Sequence, residues 1–318
     1  MKIGFIGLGN VGRKLAGSIM RNGYDLTVRD LSPEAMQPFL DKGAKAGESA
    51  AQMARDCDMV ITCLPSPAIC AAVVEGDEGI LSGITPGTIW AEMSTTDASE
   101  VARLADKVAA AGGMPIECPV SGGCHRADTG NISIFVGGSR EAFETALPTL
   151  TVLGRRILHT GPIGSASKLK VMTNYLATAN LLTICEALVT CKAAGLDLAT
   201  TFEAIRISSG NSFVNETETQ VILNGSRDIN FTMDLVLKDI GLFQKMADDN
   251  NVGLEISPLM IDIFKDGIAR YGAREQSDNI IKRLEEATGL DITAPGFPPE
   301  MIDDEPEEPG YEVVPPRP

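Results

Sequence analysis

The chain opens with an apolar run, Lys2-Ile-Gly-Phe-Ile6, that passes directly into Gly7-Leu8-Gly9-Asn10-Val11-Gly12 and then into helically spaced residues from Arg13 to Met20. A strand, a GxGxxG turn and a helix in that order restrict the start of the chain to a dinucleotide-type βαβ unit. Gly7 permits the tight turn, Gly9 lets a pyrophosphate approach the backbone, and Gly12 lets the helix pack closely on the strand. The helix N-terminus adds free amides and the positive end of its dipole. The six residues Gly7 to Gly12 are therefore the expected cofactor turn.

A second strand, Asp25-Leu-Thr-Val-Arg29, ends at Asp30, near the spacing of the acid that holds a ribose diol. The competing role for Asp30 is a cap or turn residue ahead of Ser32-Pro33-Glu34. A carboxylate here would bond the 2′ and 3′ hydroxyls of NAD and repel a 2′-phosphate. Leu31 follows where NADP usually calls for an arginine, so NAD is expected in preference to NADP. Arg29 should point to the other face by strand alternation.

The βα rhythm continues. Asp58 to Leu64 reads as a strand ending in the rigid turn Leu64-Pro65-Ser66-Pro67. Thr88 to Glu92 delivers Ser94-Thr95-Thr96-Asp97 to the same ligand edge, where these residues contact cofactor or substrate, or Thr96 or Asp97 simply caps the helix through Ser99 to Ala111. Met114 onward is a strand breaking into Ser121-Gly122-Gly123. Those small residues suit either a nest-type carboxylate site or a hairpin turn, and the segment alone does not choose. His125 and Arg126 read as ordinary loop residues. A strand from Asn131, a helix over Arg140 to Leu150 and a strand over Arg156 to His159 close the first domain.

From Ser165 to about Ala194 the pattern is one long apolar helix of about 45 Å. Lys170 and Asn174, four residues apart, would present an ammonium and an amide to one small volume. Lys168 lies on a roughly opposite azimuth. Five further helical segments follow with no strand alternation. The expected architecture is an α/β Rossmann domain with a doubly wound, mostly parallel sheet over residues 1–162, then an all-α domain over 163–294. An acidic, proline-rich tail over 295–318 is expected to be disordered or to lie along a neighbouring subunit.

With 318 residues and 44% hydrophobic composition the chain can build two cores. The formal net charge is −16 with no basic patch, which argues against nucleic acid. Seven scattered cysteines without a CxxC pair, and only two histidines, argue against a metal site. No run resembles a membrane span and no leader precedes the first strand, so a cytoplasmic protein without a membrane partner is expected. The many apolar helices of the second domain suggest a homo-dimer or homo-tetramer.

The GLGxxG opening, Leu64-Pro65, Ser94-Thr95, Pro119-Val-Ser-Gly-Gly123, the Gly161 to Asn174 stretch and Phe231-Thr-Met-Asp-Leu-Val-Leu-Lys238-Asp239 occur in order over about residues 1 to 290. Together they resemble the 3-hydroxyisobutyrate dehydrogenase family of β-hydroxyacid dehydrogenases. The resemblance implies NAD(P)-linked interconversion of a small anionic 3-hydroxy acid and its semialdehyde or keto acid. It makes Lys170 the catalytic lysine and Asn174 the substrate amide. Ser121, Gly122 and Gly123 become the carboxylate loop, Leu64, Pro65 and Thr95 cofactor contacts, and Lys238 a second lysine near the nicotinamide. From its own surroundings, Lys238 would pair with Asp234 on a helix surface. The chain departs from the family pattern at Ile69, Arg126, Ala166 and Thr173. Those departures leave open a reductase of imines or of bulkier or sulfonated hydroxy acids. A non-catalytic dinucleotide-binding scaffold is the alternative from another class.

Overall fold

A computed structural model describes residues 1–316. They form two compact units, Met1–Lys170 with the segment from Glu305 onward, and Val171–Asp304. The first unit begins β1 (Lys2–Ile6), α1 (Gly12–Arg21), β2 (Asp25–Arg29), α2 (Pro33–Leu40), β3 (Lys45–Ala46), α3 (Ala50–Asp56), β4 (Met59–Thr62), α4 (Pro67–Glu75) and α5 (Ile80–Gly83). It continues β5 (Ile89–Glu92), α6 (Ala98–Ala110), β6 (Met114–Glu117), β7 (Val120–Ser121), α7 (Gly123–Thr129), β8 (Ser133–Gly138), α8 (Arg140–Leu153) and β9 (Arg156–Gly161).

With β10 (Tyr311–Glu312) at one edge, the sheet runs β10-β9-β8-β6-β5-β4-β1-β2-β3, with β7 attached to β8. Its pairings are parallel apart from β6–β8 and β7–β8. The inner order 3-2-1-4-5-6 is that of a doubly wound sheet, and it reverses between β1 and β4, where the crevice beyond the strand C-termini takes ligands. Strand alternation supplies both faces: Met59 and Ile61 join the core with Leu15 and Phe143, while Val60 between them joins Met53, Trp90 and Leu104 on the other side.

Helix α9 (Ser165–Ala193) leaves the first unit and enters the second, which holds α10 (Leu198–Arg206), α11 (Phe213–Asn224), α12 (Met233–Asp249), α13 (Ile256–Tyr271), a 3₁₀ turn over Ser277–Ile281 and α14 (Lys282–Thr288). Its core gathers Leu181, Leu188, Phe202, Val236, Ile240, Phe264 and Ile281. By length and composition α9 could cross a membrane, with a window of mean hydropathy 1.3, which corrects the expectation that no run has those properties. Leu181, Ile184, Cys185, Leu188 and Val189 of this helix are nevertheless core residues of the second unit.

The acidic tail differs from expectation. Instead of trailing free or crossing to a neighbour, it returns to the first unit, where β10 (Tyr311–Glu312) pairs in parallel with Arg156 and Ile157 of β9. Gly310 N donates to Thr151 O at 2.7 Å and Val313 N to Ile157 O at 2.7 Å. Glu305, Glu308 and Glu312 meet Arg126, Arg155 and Arg140 respectively. The tail has too little apolar surface to fold alone, but an unpaired sheet edge and a row of arginines supply what its own composition cannot.

Candidate active site

The glycine-rich turn joins β1 to α1, and its glycines separate into two kinds. A Cβ on Gly7, whose φ is +98°, would lie 2.3 Å from Cys63 O, and one on Gly12 would lie 2.0 Å from Gly7 O. Packing alone demands glycine at both places. Gly9 is different, because nothing lies within 4 Å of an added Cβ. Open space over a turn of backbone amides at a helix N-terminus fits a pyrophosphate.

Asp30 bonds this turn to the end of β2: Leu8 N donates to its Oδ2 at 2.6 Å and Ser32 N to its Oδ1 at 2.9 Å. Each oxygen has a second lone pair with which to accept from a ribose hydroxyl. The capping role goes to Ser32, whose hydroxyl accepts from Ala35 N at the start of α2. The Arg29 guanidinium turns away and donates to Gly47 O at 3.0 Å and Glu48 O at 2.6 Å. Leu31 is 96% exposed.

At the next two strand ends a buried acid organises the loops. Glu92, fully buried at the end of β5, accepts from Ser94 N at 2.7 Å through Oε1, and from Thr62 Oγ1 and Cys70 Sγ, both at 2.6 Å, through Oε2. Ser94 Oγ in turn accepts from Leu64 N at 2.7 Å, so one carboxylate ties the Leu64-Pro65 turn to the Ser94-Thr95 loop. Burial pushes the Glu92 carboxyl up, against the donors that favour its charge. Asp97, next to the loop, caps α6 by accepting from Ser99 N and Glu100 N.

The Ser121-Gly122-Gly123 segment is a strand-to-helix turn rather than a hairpin. Val120 and Ser121 pair with β8, Gly122 and Gly123 take φ of +130° and +85°, and α7 begins at once. Helix α7 escapes the sequence pattern because seven residues are too few for apolar periodicity. His159, the other histidine of this unit beside His125, places Nε2 3.0 Å from Gly138 O and stacks on Phe143.

Glu117, fully buried at the end of β6, meets the start of α9. It accepts from Ala166 N at 2.8 Å, from Ser167 N at 3.2 Å and from the Ser167 hydroxyl. A carboxylate satisfying orphan amides at the positive end of a helix is a strong cap, and burial raises its pKa against those bonds. Lys170 follows one turn later and is only 7% exposed, whereas Lys168 is an exposed side chain.

In the second unit, Asn174 Nδ2 donates to Asp239 Oδ2 at 2.5 Å, and Lys238 Nζ lies 2.8 Å from Asp239 Oδ1. Asp239, 2% exposed, therefore joins the amide and the second lysine. Asp234, four residues before Lys238, pairs with Arg274 at 3.1 Å. Sequence reasoning named neither Glu92, Glu117 nor Asp239 as functional. The available signal was an acid at the end of each strand that feeds a candidate loop, and one directly after Lys238.

A family model for the NAD binding domain of 6-phosphogluconate dehydrogenase matches residues 2–161. A second, for the NAD-binding domain of NADP-dependent 3-hydroxyisobutyrate dehydrogenase, matches residues 164–284. The chain is 35% identical to 2-(hydroxymethyl)glutarate dehydrogenase of Eubacterium barkeri over 295 residues, covering 92% of this chain and 98% of that protein. It is 29% identical to mitochondrial 3-hydroxyisobutyrate dehydrogenase of Homo sapiens, covering 89% and 87%. Among solved structures, a 3-hydroxyisobutyrate dehydrogenase of Salmonella typhimurium superposes with a TM-score of 0.81 at 26% identity, covering 89% of this chain and 99% of that one.

Proposed function

This chain belongs to the 3-hydroxyisobutyrate dehydrogenase family of β-hydroxyacid dehydrogenases, and from that premise we propose that it is an NAD-preferring enzyme interconverting a small 3-hydroxy acid and its semialdehyde or keto acid, with Lys170 as the acid–base group. The coarser reaction, NAD(P)-dependent oxidoreduction at CH–OH, is that of the family and of this member.

Burial of Lys170 beside an exposed Lys168, one helical turn from Asn174, carries the finer assignment. A lysine costs free energy to bury, and the cost is borne where the ammonium has work to do. When bound, the nicotinamide supplies the hydride acceptor. Lys170 takes the hydroxyl proton in oxidation and returns it in reduction. Ser121, Gly122 and Gly123 hold the substrate carboxylate, and Asn174, oriented by Asp239, contacts the reacting oxygen. The amides of Gly7 to Gly12 hold the pyrophosphate. A 2′-phosphate would meet the Asp30 charge beside Leu31, which supports NAD. The number of apolar helices in the second unit supports a homo-dimer or homo-tetramer, which light scattering would test.

The decisive assay is a panel of 3-hydroxyisobutyrate, 2-(hydroxymethyl)glutarate and L-serine with NAD and NADP, followed at the absorbance of the reduced dinucleotide. Turnover of at least one hydroxy acid, faster with NAD, is expected. Bound NAD with no turnover across the panel would sink the proposal.

A further inference from the structure

Arg126 connects two parts of the first unit that the reaction does not connect by itself. Its side chain lies across the carboxylate loop, with Cδ 3.3 Å from where a Cβ on Gly122 would sit. Its guanidinium reaches the other way, Nη2 standing 3.0 Å from Glu305 Oε1 in the acidic tail. The second Glu305 oxygen faces Arg156 Nη1 at 3.3 Å. The backbone of the same residue is also fixed, because Asn131, fully buried, donates from Nδ2 to Glu305 O at 2.8 Å. Asn131 N donates in turn to Arg126 O at 2.8 Å, so side chain and main chain at the end of α7 both lead to Glu305.

The opposite side of α7 is tied to the cofactor helix. Asp128 pairs with Lys14 of α1 at 2.9 Å, and its carbonyl accepts from Arg21 at 2.5 Å. A seven-residue helix with a glycine at each end has little rigidity of its own, and its position is set by what holds it. Beyond Glu305 the tail is anchored separately, by the β10–β9 pairing and by Glu312 on Arg140.

We propose that the C-terminal segment is a positioning strap for the carboxylate loop, in which Glu305 holds Arg126 across Gly122 and so sets the placement of Ser121, Gly122 and Gly123 for an anionic substrate. Glu305 is thus a positioning residue acting through Arg126. The proposal rests on the assignment of those three residues to substrate carboxylate, and it adds a device at the far end of the chain that tunes them.

The test uses the full-length enzyme and two isosteric variants, Glu305→Gln and Glu312→Gln, with 3-hydroxyisobutyrate as substrate and hydrogen exchange over residues 120–131 as a readout independent of turnover. Glu305→Gln is expected to raise KM for the hydroxy acid about fivefold, with kcat within about twofold and the dinucleotide KM unchanged, and to speed exchange in 120–131. Glu312→Gln, which loosens the strap at its other anchor, should speed exchange only around residues 311–313 and leave KM alone. A lowered melting temperature in Glu305→Gln with KM and loop exchange unchanged would reduce the strap to an edge cover and overturn the proposal. A fall in KM would overturn it too, since Glu305 would then be masking the Arg126 charge rather than placing it. If the wild type turns over no hydroxy acid, the functional assignment fails, while the exchange comparison still decides whether Glu305 orders the loop.

Discussion

Glu92 and Glu117 are register partners on adjacent strands, and each buried carboxylate serves a different functional segment. Glu92 holds the Leu64 and Ser94 loops, whereas Glu117 holds the first turn of the helix that carries Lys170. Replacing either by alanine strands buried donors at a cost of about 1–3 kcal/mol each, so both variants should be less stable by thermal denaturation. Their kinetic effects should separate. Glu92→Ala is expected to raise the dinucleotide KM, and Glu117→Ala to lower kcat. Steady-state kinetics with each ligand varied in turn checks the division, and identical profiles would refute it.

The two lysines of α9 provide an internal control. Lys170→Ala should lower kcat by about 10²- to 10⁴-fold, the usual worth of a positioned acid–base group, with dinucleotide binding retained by fluorescence titration. Lys168→Ala, at an exposed position, should stay within about twofold of wild type. Equal losses would remove Lys170 from the chemistry.

Asp239 bonds Asn174 and pairs with Lys238, so its removal should disturb both. Asp239→Ala is expected to lower kcat/KM for the hydroxy acid about a hundredfold, and Asp239→Asn, which keeps the shape and an acceptor oxygen, about tenfold. A double variant with Asn174→Ala should lose less than the sum of the single free energies, because the two residues act through one bond.

Two acids in the second unit, Asp278 fully buried and Glu218 half-buried, set a pH dependence. Burial pushes Glu218 up to about 7, and burial together with the Glu218 charge raises Asp278 above the usual carboxylate range. The native state therefore keeps a proton that the unfolded chain releases near its ordinary value of 4.5. The resulting stabilisation is complete below about pH 4.5 and is lost as pH rises through about 7. Melting temperature should accordingly fall between pH 5 and pH 8, and Glu218→Gln should flatten that slope. A variant with the wild-type slope would clear the pair of responsibility.

Much of the architecture is legible before any coordinates. The strand, GxGxxG and helix at the start, and the expected helices over Leu198 to Arg206 and Ser165 to Ala194, correspond closely to α1, α10 and α9, because local periodicity and glycine chemistry specify them. Helix spacing places Lys170 and Asn174 on one face of α9, and the roles proposed for them come from the family resemblance. The residues missed, Glu92, Glu117 and Asp239, are acids whose partners lie far away in sequence, and spacing contains no information about such bonds. The tail failed for a related reason: its composition describes what it can do alone, whereas its placement depends on the edge of β9 and on arginines from 126 to 156.

The pairing of β10 with β9 has a consequence for synthesis. The first unit's last strand is made only after all of the second unit, so on a growing chain the flank of β9 stays open while α10 to α14 emerge. Closure is a contact of large sequence separation, slow to form, and nascent chains are exposed to edge-to-edge association until it forms. Nascent chains of this enzyme should therefore engage chaperones through the β9 flank until Tyr311 and Glu312 are free to pair with it.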